Sequence, residues 1–220
     1  LANVAMRCDI CLTGTRSIGV RNRCGLEVSA NWLSLKAKPL LVATPSGDLD
    51  SYQFGGAMGN QCMDKPICGN DFSVETDREV VADVLETLID ARLRVALANV
   101  DAGGTSTEEE LVWYRFLTAY KPFLLSGSDR GQQLLDAPPA KLDEWMASMR
   151  FSSALDGAET GLTPLRFAVL AGRADLAREL LEAGADVSVR LKKQWEQMHW
   201  IKNEVILHTA NAFHNSAELT

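Results

Sequence analysis

Two short apolar stretches, each closed by a glycine, constrain this chain more than any other feature. Residues 161–187 read Gly-Leu-Thr-Pro-Leu-Arg-Phe-Ala-Val-Leu-Ala-Gly-Arg-Ala-Asp-Leu-Ala-Arg-Glu-Leu-Leu-Glu-Ala-Gly-Ala-Asp-Val. Thr163 is placed to cap a first helix through its hydroxyl. Pro164 follows at the first helical position, where its missing N–H costs nothing and its fixed φ suits the helix. Leu165, Ala168 and Val169 are expected on the inner face, with Ala168 small enough for close helix approach. Gly172 can take the left-handed conformation that ends this helix. Leu176, Leu180 and Leu181 are spaced as the apolar stripe of a second helix, which Gly184 ends. Ala185-Asp186-Val187 then leads into a hairpin.

A second copy follows. Val205-Ile206-Leu207-His208-Thr209-Ala210 aligns with Thr163-Pro164-Leu165-Arg166-Phe167-Ala168 at an offset of 42 residues, from 163 to 205. It lacks the Thr-Pro start, and Ser216-Ala217-Glu218-Leu219 reads as the beginning of its second helix.

So many positions agreeing in order resembles the ankyrin family. The matching features are Thr163-Pro164-Leu165, Ala168, Gly172, Leu180-Leu181 and Gly184-Ala185-Asp186. The resemblance implies stacked helix-turn-helix repeats that present a surface to a protein partner. One departure is Arg166, where the family usually has a histidine that helps knit neighbouring repeats; the second copy carries that histidine as His208. The family period is about 33 residues, so the offset implies an insertion of about nine residues in the connecting hairpin. Roughly three repeats are needed for a stable array, so further repeats are expected beyond this sequence. The chain opens on Leu1, not Met, and reads as a fragment.

The insertion is basic and aromatic, running from Arg190 to Lys202. Trp and Arg are enriched at binding hot spots, and cations over aromatic faces suit acidic partners. Lys192, Lys193, Trp195 and Trp200 are therefore the candidate partner-binding residues. In the opposing expectation, both tryptophans fold back to cover the longer hairpin.

Upstream, Val81, Val84, Leu85, Leu88, Ala91 and Val95 recur at three- and four-residue steps, which predicts an amphipathic helix over 75–98. Ser73 or Thr76 can start it, and Asp101-Ala102-Gly103-Gly104 breaks it. A second helix is expected from Thr107, with Glu108, Glu109 and Glu110 in its first turn, where carboxylates complement the helix dipole. Trp113, Phe116, Leu117 and Tyr120 are its expected buried stripe, and Pro122 is expected to kink or stop it. The two helices are expected to pack as an antiparallel pair. Leu142, Trp145, Met146 and Met149 form a short amphipathic helix placed to cap the first repeat.

The fold class is thus mainly α. It has three expected parts: an irregular Cys/Gly-rich region over 1–70, where Leu40-Leu41-Val42 is a candidate strand; a helical region over 71–136; and the repeat segment with its capping helix over 137–220. Residues 55–60 and 126–131 read as turns.

The charge balance excludes some functions. Net charge is −7, yet residues 1–70 carry seven basic and five acidic side chains, so the rest is −9. An acidic majority repels phosphate backbones, which argues against nucleic acid as the main partner. No apolar stretch approaches the roughly 20 residues that cross a bilayer. The five cysteines, Cys8, Cys11, Cys24, Cys62 and Cys68, are an odd number, which fits reduced intracellular thiols better than a disulfide framework. Cys8 and Cys11 have zinc-knuckle spacing, but no second such pair exists. A four-thiolate zinc site stays open as an alternative, with ordinary buried or free cysteines expected and no cofactor. The three histidines, His199, His208 and His214, leave residues 1–198 without one. A Ser-His-Asp or Cys-His arrangement within that region is excluded, and no phosphate-cradling Gly-Lys-Ser/Thr loop occurs. A non-catalytic protein-binding scaffold is the expectation, with a fragment of a larger enzyme as the other alternative.

Overall fold

The structure, a computed structural model, describes residues 22–34, 40–43, 49–52, 66–69, 72, 74–103, 107–138, 141–195, 198 and 200–213. It is mainly helical. Among the described residues the helices are α1 (Asn22–Leu33), α2 (Asp77–Ala102), α3 (Thr107–Leu124), α4 (Asp129–Leu135), α5 (Leu142–Ser148), α6 (Pro164–Leu170), α7 (Ala174–Glu182) and α8 (Ile206–Phe213). An antiparallel hairpin pairs β1 (Leu40–Ala43) with β2 (Leu49–Tyr52), Leu40 opposite Tyr52. β1 contains the expected Leu40-Leu41-Val42 strand. The helix α1 was not legible, because Asn22, Gly25 and Ser29 break its apolar pattern; Trp32 and Leu33 are nonetheless buried. Residues 55–60 and 216–219, with Cys8, Cys11 and Cys62, lie outside the described residues, as does the side chain of Cys24.

The described chain divides into two compact units. One is built from the residues up to Arg92 together with Phe123–Leu135; the other from Leu93–Pro122 and the residues from Asp136 onward. α2 and α3 each contribute to both units.

In the first unit, α1 packs on a short 3-10 turn, Ile67–Gly69. Arg78 donates to the carbonyl of Cys68 and stands 4.8 Å from the Phe72 ring centre. Glu79 accepts the Asp129 N–H at 2.9 Å, and Glu86 pairs with Arg130 at 3.0 Å. These carboxylates hold the start of α4, a helix missed in sequence because Gly131, Gln132 and Gln133 give it no apolar period. Ser128 caps it by accepting the Gly131 N–H at 3.0 Å. Cys68 is fully buried, and burial pushes its thiol up to about 11.

α2 shows where periodicity misled. Its buried residues are Ala82, Leu85, Ile89, Arg92 and Ala96, not the larger set starting at Val81. Val84 is 40% exposed. The buried stripe is rotated from the expected one and includes two alanines, Ala82 and Ala96. In α3 the buried set is Val112, Phe116, Leu117, Ala119, Tyr120 and Leu124, with Trp113 only half-buried. Pro122 sits in the last turn, and the helix ends two residues later.

In the second unit, α3 secures the end of α5. Tyr114 donates to the Ser148 carbonyl at 2.9 Å, while Arg115 donates to those of Met149 at 2.9 Å and Arg150 at 2.6 Å. The last carbonyls of a helix lack internal partners, so these side chains supply them. The Arg115 guanidinium lies 3.6 Å from the Phe151 ring centre. α5 packs on α7, and α6 packs on both α7 and α8.

Two measurements check this account. Ile89→Ala should lower the unfolding free energy by about 2–5 kcal/mol, as for a buried truncation, while Val84→Ala should cost less than about 1 kcal/mol; chemical denaturation separates them. Cys68 should resist alkylation at pH 8, its thiol staying protonated and covered, and should react only once denaturant opens the unit, read by peptide mass spectrometry.

Candidate partner-binding surface

The helix pair over 161–187 forms as its residues dictate. Thr163 is the N-cap of α6, accepting the Arg166 N–H at 3.3 Å, with Pro164 at the first position. At the other end the Arg173 N–H reaches the Ala168 carbonyl and the Gly172 N–H reaches that of Val169, both at 3.0 Å. This closure requires a left-handed residue, and Gly172 has φ +68°. The same pattern ends α7, with Ala185 bonded to Leu180 and Gly184 to Leu181. Leu165, Ala168 and Val169 are buried. The buried stripe of α7 is Leu176, Ala177 and Leu180; Leu181 is 45% exposed, because α7 turns Ala177 inward in its place.

The second copy begins at the expected offset: α8 starts at Ile206 as α6 starts at Pro164. Ala210, like Ala168, is fully buried. His208 is exposed among the described residues. Arg166 is the side chain that joins the two copies. Its side chain is fully buried, with Nε donating to the Gly161 carbonyl at 2.8 Å, Nη1 to Thr209 Oγ1 at 2.7 Å and Nη2 to the Glu204 carbonyl at 3.0 Å. Glu204 Oε1 lies 3.4 Å from Nη1 and accepts the Thr209 hydroxyl at 2.8 Å, and Oε2 accepts the Ile201 N–H at 3.0 Å. Burial lowers the Arg166 pKa to about 10, against the pull of Glu204, so the guanidinium stays charged at neutral pH. A guanidinium offers five donors in a fixed fork, and a shorter histidine ring offers at most two. Arginine at a core register position was itself the signal: a buried charge needs a partner, and Glu204 and Thr209 supply it.

The insertion is a narrow hairpin. Arg190 bridges Val205, and Trp195 bridges Trp200. Lys192 N–H donates to the Thr160 carbonyl at 3.0 Å, tying it to the loop before the repeat. There Gly161 has φ +85°, and a Cβ on it would lie 2.5 Å from the Arg190 carbonyl. Only glycine lets the two backbones come this close.

Of the four candidate residues, the structure separates the lysines from the tryptophans. Trp200 is 1% exposed and Trp195 5%. Trp200 meets Phe116 at 5.5 Å and Phe167 at 5.6 Å, both edge-to-face, an arrangement worth about 0.5–1.5 kcal/mol per pair beyond the area buried. Its indole N–H has no acceptor among the described residues, so aromatic packing is what holds it. Both rings are buried at the hairpin base. Lys192 and Lys193 are exposed.

Residues 160–192 match the family model of the ankyrin repeat. The chain carries an ankyrin repeat. An ankyrin repeat is a protein-interaction module, and this one is followed by a second first-helix in register. No curated protein and no solved structure matches the chain. Among the described residues, no group of three His, Cys, Asp or Glu side chains is arranged to hold a metal, and no helix is long and apolar enough to cross a membrane.

The ankyrin junction is directly testable. Arg166→Met should destabilise the protein by about 3–5 kcal/mol, because it leaves Glu204 buried without its partner. Arg166→Met combined with Glu204→Leu should recover most of that loss, read by denaturant unfolding.

Proposed function

We propose that the chain is a non-catalytic binding scaffold whose contact surface is the enlarged ankyrin hairpin. The observation that carries this reading is the placement of the insertion. Two buried cross-strand pairs, Leu191 with Glu204 and Trp195 with Trp200, anchor it to the core. Between them each arm turns three residues outward, Lys192-Lys193-Gln194 on one and Ile201-Lys202-Asn203 on the other, all six exposed. A rigid base under exposed side chains limits the ordering cost of association. The lack of histidine over residues 1–198 argues against a Ser-His-Asp or Cys-His arrangement within that region.

Affinity capture from a cell lysate, quantified by mass spectrometry, tests it. The intact chain should retain a partner saturably, and Lys192→Glu with Lys193→Glu should reduce retention at least tenfold while melting temperature stays unchanged. Equal retention by the charge-reversed protein would remove the hairpin from the contact surface.

A further inference from the structure

We infer that the hairpin lysines form a carboxylate-binding surface for an acidic segment of a partner protein, and that Glu109 of the chain's own helix α3 occupies part of it in the free state. The inference rests on the scaffold reading above. Three lysines, Lys192, Lys193 and Lys202, stand within the six exposed residues between the two buried pairs. Beside Lys202 is Ile201, 65% exposed, an apolar residue on the same arm. The unit that carries the hairpin, Leu93–Pro122 with Asp136–Thr220, has twelve basic and sixteen acidic side chains, net −4, so this basic cluster runs against the charge of its own unit.

The internal occupant identifies the ligand chemistry. Glu109 Oε1 lies 3.3 Å from Lys193 Nζ, and both side chains are more than half exposed. The same ammonium stands 4.5 Å from the Trp195 ring centre. Lys193 is thus held between an aromatic face and a carboxylate, in the orientation that a partner's carboxylate would use. Among the described residues, neither Lys192 nor Lys202 has an ion-pair partner. An exposed ion pair contributes only about 0–1 kcal/mol, so Glu109 is readily displaced. A segment bearing two or three carboxylates around a leucine-sized side chain satisfies all three lysines and covers Ile201. A nucleic acid brings phosphates to the same lysines but meets the acidic remainder of the chain, so a protein segment is the fitting occupant.

Fluorescence anisotropy with the intact chain tests this. The probe is a labelled synthetic peptide alternating Glu pairs with Leu; the competitors are its Gln-for-Glu counterpart and a single-stranded oligonucleotide of equal charge. The acidic peptide should bind saturably at low salt and weaken as salt rises. Lys192→Glu with Lys202→Glu should weaken it at least tenfold, and the milder Lys192→Gln with Lys202→Gln should weaken it measurably. Glu109→Gln should tighten it two- to fivefold, since the internal competitor is gone. Equal binding by wild type and lysine variants, no effect of Glu109→Gln, or preference for the oligonucleotide would overturn the inference. Lysate capture that persists without peptide binding overturns this inference alone and leaves the scaffold reading standing; loss of both overturns both.

Discussion

A buried arginine holds the repeat segment together. Arg166 joins α6 to the backbone of Gly161, to the carbonyl and carboxylate of Glu204 and to the hydroxyl of Thr209. A charge taken out of water is costly unless every donor is answered, so this network tolerates little displacement of one repeat against the next. It fixes where α8 begins relative to α6. It also fixes both ends of the hairpin between them, since Gly161 contacts one arm and Glu204 lies in the other.

The hairpin follows from that constraint. An insertion of this size in a short connection is usually a mobile loop. Here four of its apolar residues, Leu191, Trp195, Met198 and Trp200, turn inward and are buried, while Ile201 stays exposed. Trp200 is the bulkiest fully buried side chain among the described residues, and it links Phe116 of α3 to Phe167 of α6. Phe151 continues the cluster from Phe167 towards Trp145. The added residues therefore enlarge the core while raising a basic edge above it.

Much of the repeat was legible from local chemistry. Thr163, Pro164, Gly172 and Gly184 act on backbone groups within a few residues of themselves, so their roles need no tertiary information. The offset of the second copy was legible for the same reason: it is a recurrence of such local signals. The role of Arg166 was not legible. Which basic side chain joins two repeats depends on what faces it, and Glu204 and Thr209 lie 38 and 43 residues along the chain from Arg166.

The sequence by itself determined that this chain contains an ankyrin repeat with an enlarged basic and aromatic hairpin, because caps, helix stops and apolar spacing are written in contiguous residues. The tertiary structure alone decided which side of the hairpin meets solvent. A tryptophan beside lysines has the same composition whether it is a contact residue or core, and only the rings waiting at Phe116 and Phe167 made Trp200 core. The same applies to α2, where Ala82 and Ala96 are buried while the larger Val80 and Val84 are exposed. Hydropathy ranks side chains by size and polarity, whereas packing selects them by the space available.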